Sequence, residues 1–252
     1  MKVCGIVAEY NPFHNGHLYH LSEAKKKTEA DVMIVAMSGD FLQRGEPAII
    51  DKWDRASVAL RYGADIVVEI PAAFSVQPAD IYARGAVDLL DMMGIDVLSF
   101  GSESGVGDDF IQAAEVFVEN ETKINKLFQN EQQQQRTYAE NMSDLLTRNY
   151  PELKLDLTQP NNMLGFAYAK VLKRKNRQID IETIQRKGSQ YHDSELKGKA
   201  EIASATAIRN LIFSGESWQE EQSFPFPEET ETILKASRLV TGMIFSLYLS
   251  TG

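Results

Sequence analysis

The residues best suited to chemistry lie close together near the start of the chain, in Asn11-Pro12-Phe13-His14-Asn15-Gly16-His17. Residues 2–8, short, apolar and β-branched, read as a buried strand leading into them. A helical pattern then opens near His17 and runs through Leu18, Leu21 and Ala24. A helix start gathers unpaired backbone N–H groups and partial positive charge, so this strand–turn–helix junction favours phosphate. Gly16 lets the backbone approach a ligand with no side chain in the way. His14 and His17 are three residues apart, which on a helical turn points both rings to one side. Two imidazoles so placed can donate hydrogen bonds to phosphate oxygens as charge builds on a leaving pyrophosphate. Two other readings stay open: the histidines as a helix cap or surface groups, or His14, His17 and His20 as a metal site. The metal reading lacks a carboxylate or thiolate at a familiar companion spacing, so no dedicated protein metal site is expected.

The elements that must hold these residues alternate along the first hundred positions. Residues 31–38, 65–70 and 96–100 read as strands, and 52–62 and 79–93 as helices, with Gly63 and Gly94 as stops. Such alternation predicts an α/β fold, a Rossmann-like parallel sheet with helices on both faces. Ligands of such sheets sit outside the carboxyl ends of the strands. Those ends are where the unusual residues gather: the Glu9–His17 turn, Ser38-Gly39-Asp40, Ile70-Pro71 and Gly101-Ser102-Glu103, with Gly101 directly after its strand. Residues 106–158 are polar and helix-favouring, and read as a helical insertion or connection in which Phe110, Ala114, Val118, Leu145 and Leu146 still pack. A helix over 161–173, a strand over 179–184 and a short helix over 204–213 follow.

The bulk properties exclude several classes. A chain of 252 residues suits one large α/β domain, with or without a small appendage. No apolar run approaches the roughly 20 residues of a membrane span, and the N-terminus has no signal-peptide pattern. Cys4 is the only cysteine, which fits a reducing, cytoplasmic compartment. A net charge of −10 argues against bulk binding of DNA or another polyanion. The best candidate for a local basic patch, Lys170, Lys173, Arg174, Lys175 and Arg177, reads first as a solvated last helical turn complementing the helix dipole.

Two short elements add a resemblance. His14-Asn15-Gly16-His17 resembles the HxGH signature of the HIGH-type nucleotidyltransferases. Ser204-Ala205-Thr206-Ala207-Ile208-Arg209 resembles their second signature, whose hydroxyls and arginine hold the triphosphate opposite the histidines. Longer stretches are similar to one family, the bacterial tRNA(Met) cytidine acetate ligases. They are Gly5 through His17, Ser38 through Ala48, Lys52-Trp53-Asp54-Arg55, Gly63-Ala64-Asp65, Phe100-Gly101-Ser102-Glu103 and Asn161-Asn162-Met163-Leu164-Gly165.

The resemblance implies a HUP-type sheet. It also implies activation of acetate by ATP to acetyl-adenylate, then acetylation of the wobble cytidine of elongator tRNA(Met), with Mg²⁺ accompanying the nucleotide. By position, the ATP site would comprise Val7-Ala8-Glu9-Tyr10-Asn11-Pro12-Phe13-His14-Asn15-Gly16-His17-Leu18-Tyr19-His20, then Gly101, Asn162 (favoured over Asn161), Arg186 and Lys187. His14, His17, Asp40, Ser204, Thr206 and Arg209 would be the catalytic set, Asp40 as a candidate contact to Mg²⁺. Arg44 would pair with a phosphate, with the acetate, or with Glu46 across Gly45. Trp53 is expected in the core rather than as a stacking surface. The domain layout expected is a catalytic domain over 1–215 and a shortened C-terminal segment over 216–252, since the family continues further and uses that portion on tRNA. An adenylyltransferase joining AMP to a phosphorylated acceptor, and a nucleotide- or RNA-binding protein without turnover, are the other readings.

Overall fold

The structure is a computed structural model that describes residues 1–186, 203–214, 224–237 and 239. Lys187 lies outside the described residues. In chain order the elements are β1 (Val3–Ala8), α1 (Asn15–Thr28), β2 (Val32–Ser38), α2 (Lys52–Arg61), β3 (Ile66–Ile70), α3 (Ala72–Ser75), α4 (Ala79–Met92) and β4 (Val97–Ser102). They continue with α5 (Gly107–Glu119), α6 (Glu121–Glu131), α7 (Tyr138–Asn149), α8 (Pro160–Lys175), β5 (Asp180–Gln185), α9 (Ala205–Phe213) and α10 (Glu228–Ala236).

The strands form one parallel sheet in the order β3-β2-β1-β4-β5. Strands β1 and β2 are almost continuously apolar because helices cover both of their faces. Cys4 and Ile6 face α1 and α2, while Val3 faces the layer of α4, α5, α7 and α8. The chain runs outward from β1 in both directions, so β1 and β4 diverge at their carboxyl ends, where this topology opens a crevice. Gly165 lets α8 press against β4: a Cβ there would lie 2.4 Å from the Phe100 ring and 2.7 Å from Phe110. Residues 106–158 form α5 to α7 and the chain after them, and their Phe110, Ala114, Leu145 and Leu146 are buried in the larger core cluster, with Val118 half-buried.

Several expectations are corrected. Helix α1 starts at Asn15, two residues before the sequence pattern suggested, because His14 itself caps it. Gly101 lies inside β4 rather than after it, since pairing with β5 carries that strand to Ser102. Trp53 is 76 % exposed on the outer side of α2, whose inner face is made by Arg55, Val58 and Ala59. The basic cluster at the end of α8 is the exposed last turn that was expected at Lys173, Arg174, Lys175 and Arg177, and Lys170 departs from it. Lys173, Arg174, Lys175 and Arg177 pair with Glu115, Glu121, Asp88 and Asp91, and Lys170 is buried against Asp80 at 2.7 Å. Acidic residues on α4 to α6 neutralise it within the chain. Among the described residues no helix is long and apolar enough to cross a membrane.

Candidate active site

The two histidines build their own helix start. His14 is the N-cap of α1 and its Nδ1 accepts the Gly16 N–H at 3.0 Å; His17 Nδ1 accepts the His14 N–H at 3.3 Å. This is a reciprocal capping box made from imidazoles where Ser or Thr and Glu are usual. With both Nδ1 atoms accepting, each ring carries its proton on Nε2, and the rings stack with centroids 3.7 Å apart. Both Nε2–H groups are thus left as donors with no protein partner among the described residues. Burial first, then the Arg186 and Arg209 charges, hold the His14 pKa down to about 3. Burial and neighbouring His14 hold His17 well below the usual histidine range. His20, one turn on, bonds Ser99 Oγ at 3.2 Å, and burial and Arg186 lower it to about 4. All three rings are neutral at physiological pH. Tyr10 and Phe13 wall His17, with ring centroids 4.9 and 5.8 Å away.

The second signature meets the first through Arg209. Its Nη1 donates to the Asn11 carbonyl at 2.9 Å, its Nη2 to Thr206 Oγ1 at 3.3 Å, and it lies 3.9 Å from Glu46. Ser204 caps α9 by accepting the Ala207 N–H at 3.1 Å. Asn11 is buried, with Oδ1 accepting the Ile49 N–H at 2.8 Å and Nδ2 without a partner. Residues 224–237 close over this junction. The Asn15 N–H donates to the Pro225 carbonyl at 2.9 Å, and buried Thr230 donates to the Phe13 carbonyl at 3.0 Å. The leading amide of α1 is therefore already satisfied, so side chains rather than backbone N–H groups are the donors presented here.

The strand ends are tied together by Arg55, a fully buried arginine that has no carboxylate partner at ion-pair distance among the described residues. It donates to the carbonyls of Glu9 (2.6 Å), Ser38 (3.1 Å), Gly39 and Ile50 (3.2 Å). The Lys-Trp-Asp-Arg element was legible in sequence, but this role was not, because the acceptors are backbone atoms scattered over three segments. Glu9 follows β1 directly. Its Oε1 accepts the Gln43 N–H at 2.8 Å, and burial, outweighing the lowering effect of that bond, raises its pKa above the carboxylate norm.

Other expected residues take clear positions. Gly101 faces Arg186, with a Cβ there 3.7 Å from the Arg186 stem, and Arg186 follows β5 within electrostatic reach of all three histidines. Asn162 is buried, and its Oδ1 accepts the N–H groups of Glu103 (3.0 Å) and Ser104 (3.3 Å) while Nδ2 donates to the Asp156 carbonyl. It fixes the loop after β4. Asp40 is exposed and 3.8 Å from Lys52. Glu46 turns toward Arg209, and Gly45 between it and Arg44 has φ 81°. Among the described residues, no group of three or more His, Cys, Asp or Glu is placed to hold a metal ion.

The chain is similar to several known proteins. The family model for HIGH nucleotidyl transferases matches residues 1–249. A Listeria monocytogenes protein named tRNA(Met) cytidine acetate ligase is 48% identical over 236 residues, covering 93% of this chain and 60% of that protein. A Bacillus licheniformis protein of the same name is 45% identical over 216 residues, covering 84% and 52%. The apo crystal structure of Thermotoga maritima TmcAL superposes with a TM-score of 0.84 at 38% identity, over 94% of this chain and 56% of that one. The same protein bound with alpha-thio ATP gives 0.81 over the same shares. The chain spans about 60% of the length of the first curated relatives it matches.

Proposed function

Because the chain belongs to the HIGH nucleotidyl transferase family, we propose that it activates acetate with ATP, releasing pyrophosphate, and passes the acetyl group to the wobble cytidine of elongator tRNA(Met). The observation that carries the first half is the stacked His14–His17 pair, with two Nε2–H donors free among the described residues, both rings within electrostatic reach of Arg186 and His14 also within that of Arg209. Relatives bearing the ligase name support the second half.

An acetate oxygen attacks the α-phosphorus of MgATP and pyrophosphate departs. The reaction needs position and positive or hydrogen-bonding groups around the departing oxygens. His14 and His17 donate from Nε2, and the approach of polyphosphate charge raises their pKa and strengthens those bonds. Arg209, fixed by the Asn11 carbonyl and Thr206, and Arg186 from the far side of the crevice add charge, with Lys187 following Arg186. Ser204 sets the start of α9, and the unpartnered Asn11 Nδ2 is a further donor to an anionic oxygen. The 7–20 loop wraps the phosphates. Gly101 leaves room at the β4 edge for the nucleoside, while Asn162 acts on the nucleotide by holding the 103–104 loop. Asp40, which follows β2 and is paired loosely with Lys52, is the candidate contact to Mg²⁺ of the nucleotide.

Exchange of labelled pyrophosphate into ATP tests this reading. Exchange should require acetate and fall sharply with longer or phosphorylated acceptors. Exchange driven by a phosphorylated acceptor instead would overturn it.

A further inference from the structure

We infer that Glu9 is the general base of acetyl transfer, taking the proton that the cytidine N4 amine loses as it attacks the acetyl carbonyl. The inference rests on the reading that the chain moves acetate through acetyl-adenylate to a cytidine. That amine is conjugated with its ring and has little basicity, so forming the N–C bond and losing the proton must go together. In the step, the amine nitrogen bonds to the acetyl carbonyl carbon and the bond from that carbon to the AMP oxygen breaks. The electron pair leaves with AMP, and one amine proton passes to the Glu9 carboxylate and then to water.

Position supports the role. Displacement at phosphorus places the attacking and leaving oxygens roughly in line. With pyrophosphate held at the histidines on the α1 side of β1, the acyl group lies across the β1 tip, toward α4 and α8. Glu9 stands there: it is the first residue after β1, and its charge reaches the buried phenols of Tyr82 on α4 and Tyr168 on α8. Its backbone carbonyl is pinned by Arg55 and its Oε1 by the Gln43 N–H, which leaves Oε2 uncommitted among the described residues. Among the described residues no cation lies at ion-pair distance, and burial, with the Glu46 charge, outweighs the Gln43 N–H and the Arg209 and Arg44 charges and raises its affinity for a proton.

The other acids at this edge are engaged. Asp40 and Glu69 face Lys52, Glu46 faces Arg209, Asp51 caps α2, and Glu103 holds Asn161 and Asn162. The histidines are unsuited, since each Nδ1 of His14 and His17 accepts a backbone N–H and each Nε2 already carries a proton.

The test compares wild type, Glu9→Gln and Glu9→Asp in two assays: acetate-dependent pyrophosphate exchange, and single-turnover acetylation of elongator tRNA(Met) from pH 5 to 9. Glutamine keeps the bond to Gln43 but cannot take a proton. Its transfer rate should fall about 100-fold or more, at least about 30-fold beyond any loss in exchange, in line with the usual worth of a general base. The acid limb of the transfer profile should vanish in Glu9→Gln and persist in Glu9→Asp at a lower rate. Hydroxylamine, a strong nucleophile that needs no base, should trap acetyl-adenylate on Glu9→Gln far better than tRNA does. Parallel losses in both assays, or unchanged transfer, overturn the assignment. So does a wild-type chain that exchanges but never acetylates, since Glu9 then has no such step to serve. A wild-type chain without acetate-dependent exchange fails at the earlier step and overturns the parent reading as well.

Discussion

Replacing Arg55 by methionine isolates what holds the site's floor. The guanidinium makes four hydrogen bonds to carbonyls of Glu9, Ser38, Gly39 and Ile50, and is fully buried. A hydrogen bond to a charged group is worth about 1.5–3 kcal/mol, so a plain sum would give about 6–12 kcal/mol. Two effects reduce it. Removing a buried charge also removes its desolvation cost, and the carbonyls nearest the crevice regain water. A net loss of about 3–5 kcal/mol remains, a large part of the roughly 5–15 kcal/mol that holds a typical domain together. Urea unfolding at pH 7 should show that loss as a lower midpoint with little change in slope. Arg55→Lys, which keeps the charge but not the fork, should lose roughly half as much. Under conditions where both variants stay folded, KM for ATP should rise, because the β1 and β2 ends no longer share an anchor. A loss below about 1 kcal/mol in Arg55→Met would refute the reasoning, since four buried acceptors would then not depend on this side chain.

Other outcomes follow from the same geometry. Histidines held neutral below their ordinary pKa bind fewer protons folded than unfolded, so stability is full above about pH 6.5 and falls as pH drops toward 4. Each contributes up to about 1.4 kcal/mol per pH unit, and urea midpoints at pH 7 and 5 should differ accordingly, with the difference shrinking in His20→Gln. Lys170→Met should change stability by less than about 1 kcal/mol or raise it, since Lys170 sits between Phe117 and Phe166 and its partner Asp80 stays solvated; thermal unfolding reads this directly.

The alternation of strands and helices was plain in the sequence because doubly covered strands are short apolar runs and the helices have clear stops. The histidine helix was legible too, though its start was misplaced. The N-cap there is His14, whose capping arises only through its reciprocal bond with His17, and no Ser, Thr or Asp marks the boundary. Trp53 was misjudged because residue type says little about which side of a short helix is covered. The pairing of the α8 lysines and arginines depends on acids about 55 to 90 positions away, which no local pattern reveals. The Glu9 turn and the Lys-Trp-Asp-Arg element were marked in the sequence, but the carbonyls that Arg55 gathers and the Gln43 N–H that Glu9 accepts come from separate segments, so those contacts were not legible. The contact of residues 224–237 with the α1 start had no sequence signal either, as it rests on one proline carbonyl and one threonine hydroxyl.

The most direct test of the central claim is the steady-state rate of acetate-dependent ATP–pyrophosphate exchange in wild type and His17→Ala. If neutral Nε2–H donors act on the departing pyrophosphate, the exchange kcat should fall about 100- to 1000-fold while KM for ATP moves only a few-fold. Equal kcat in the two proteins, or a loss confined to KM, would contradict the account.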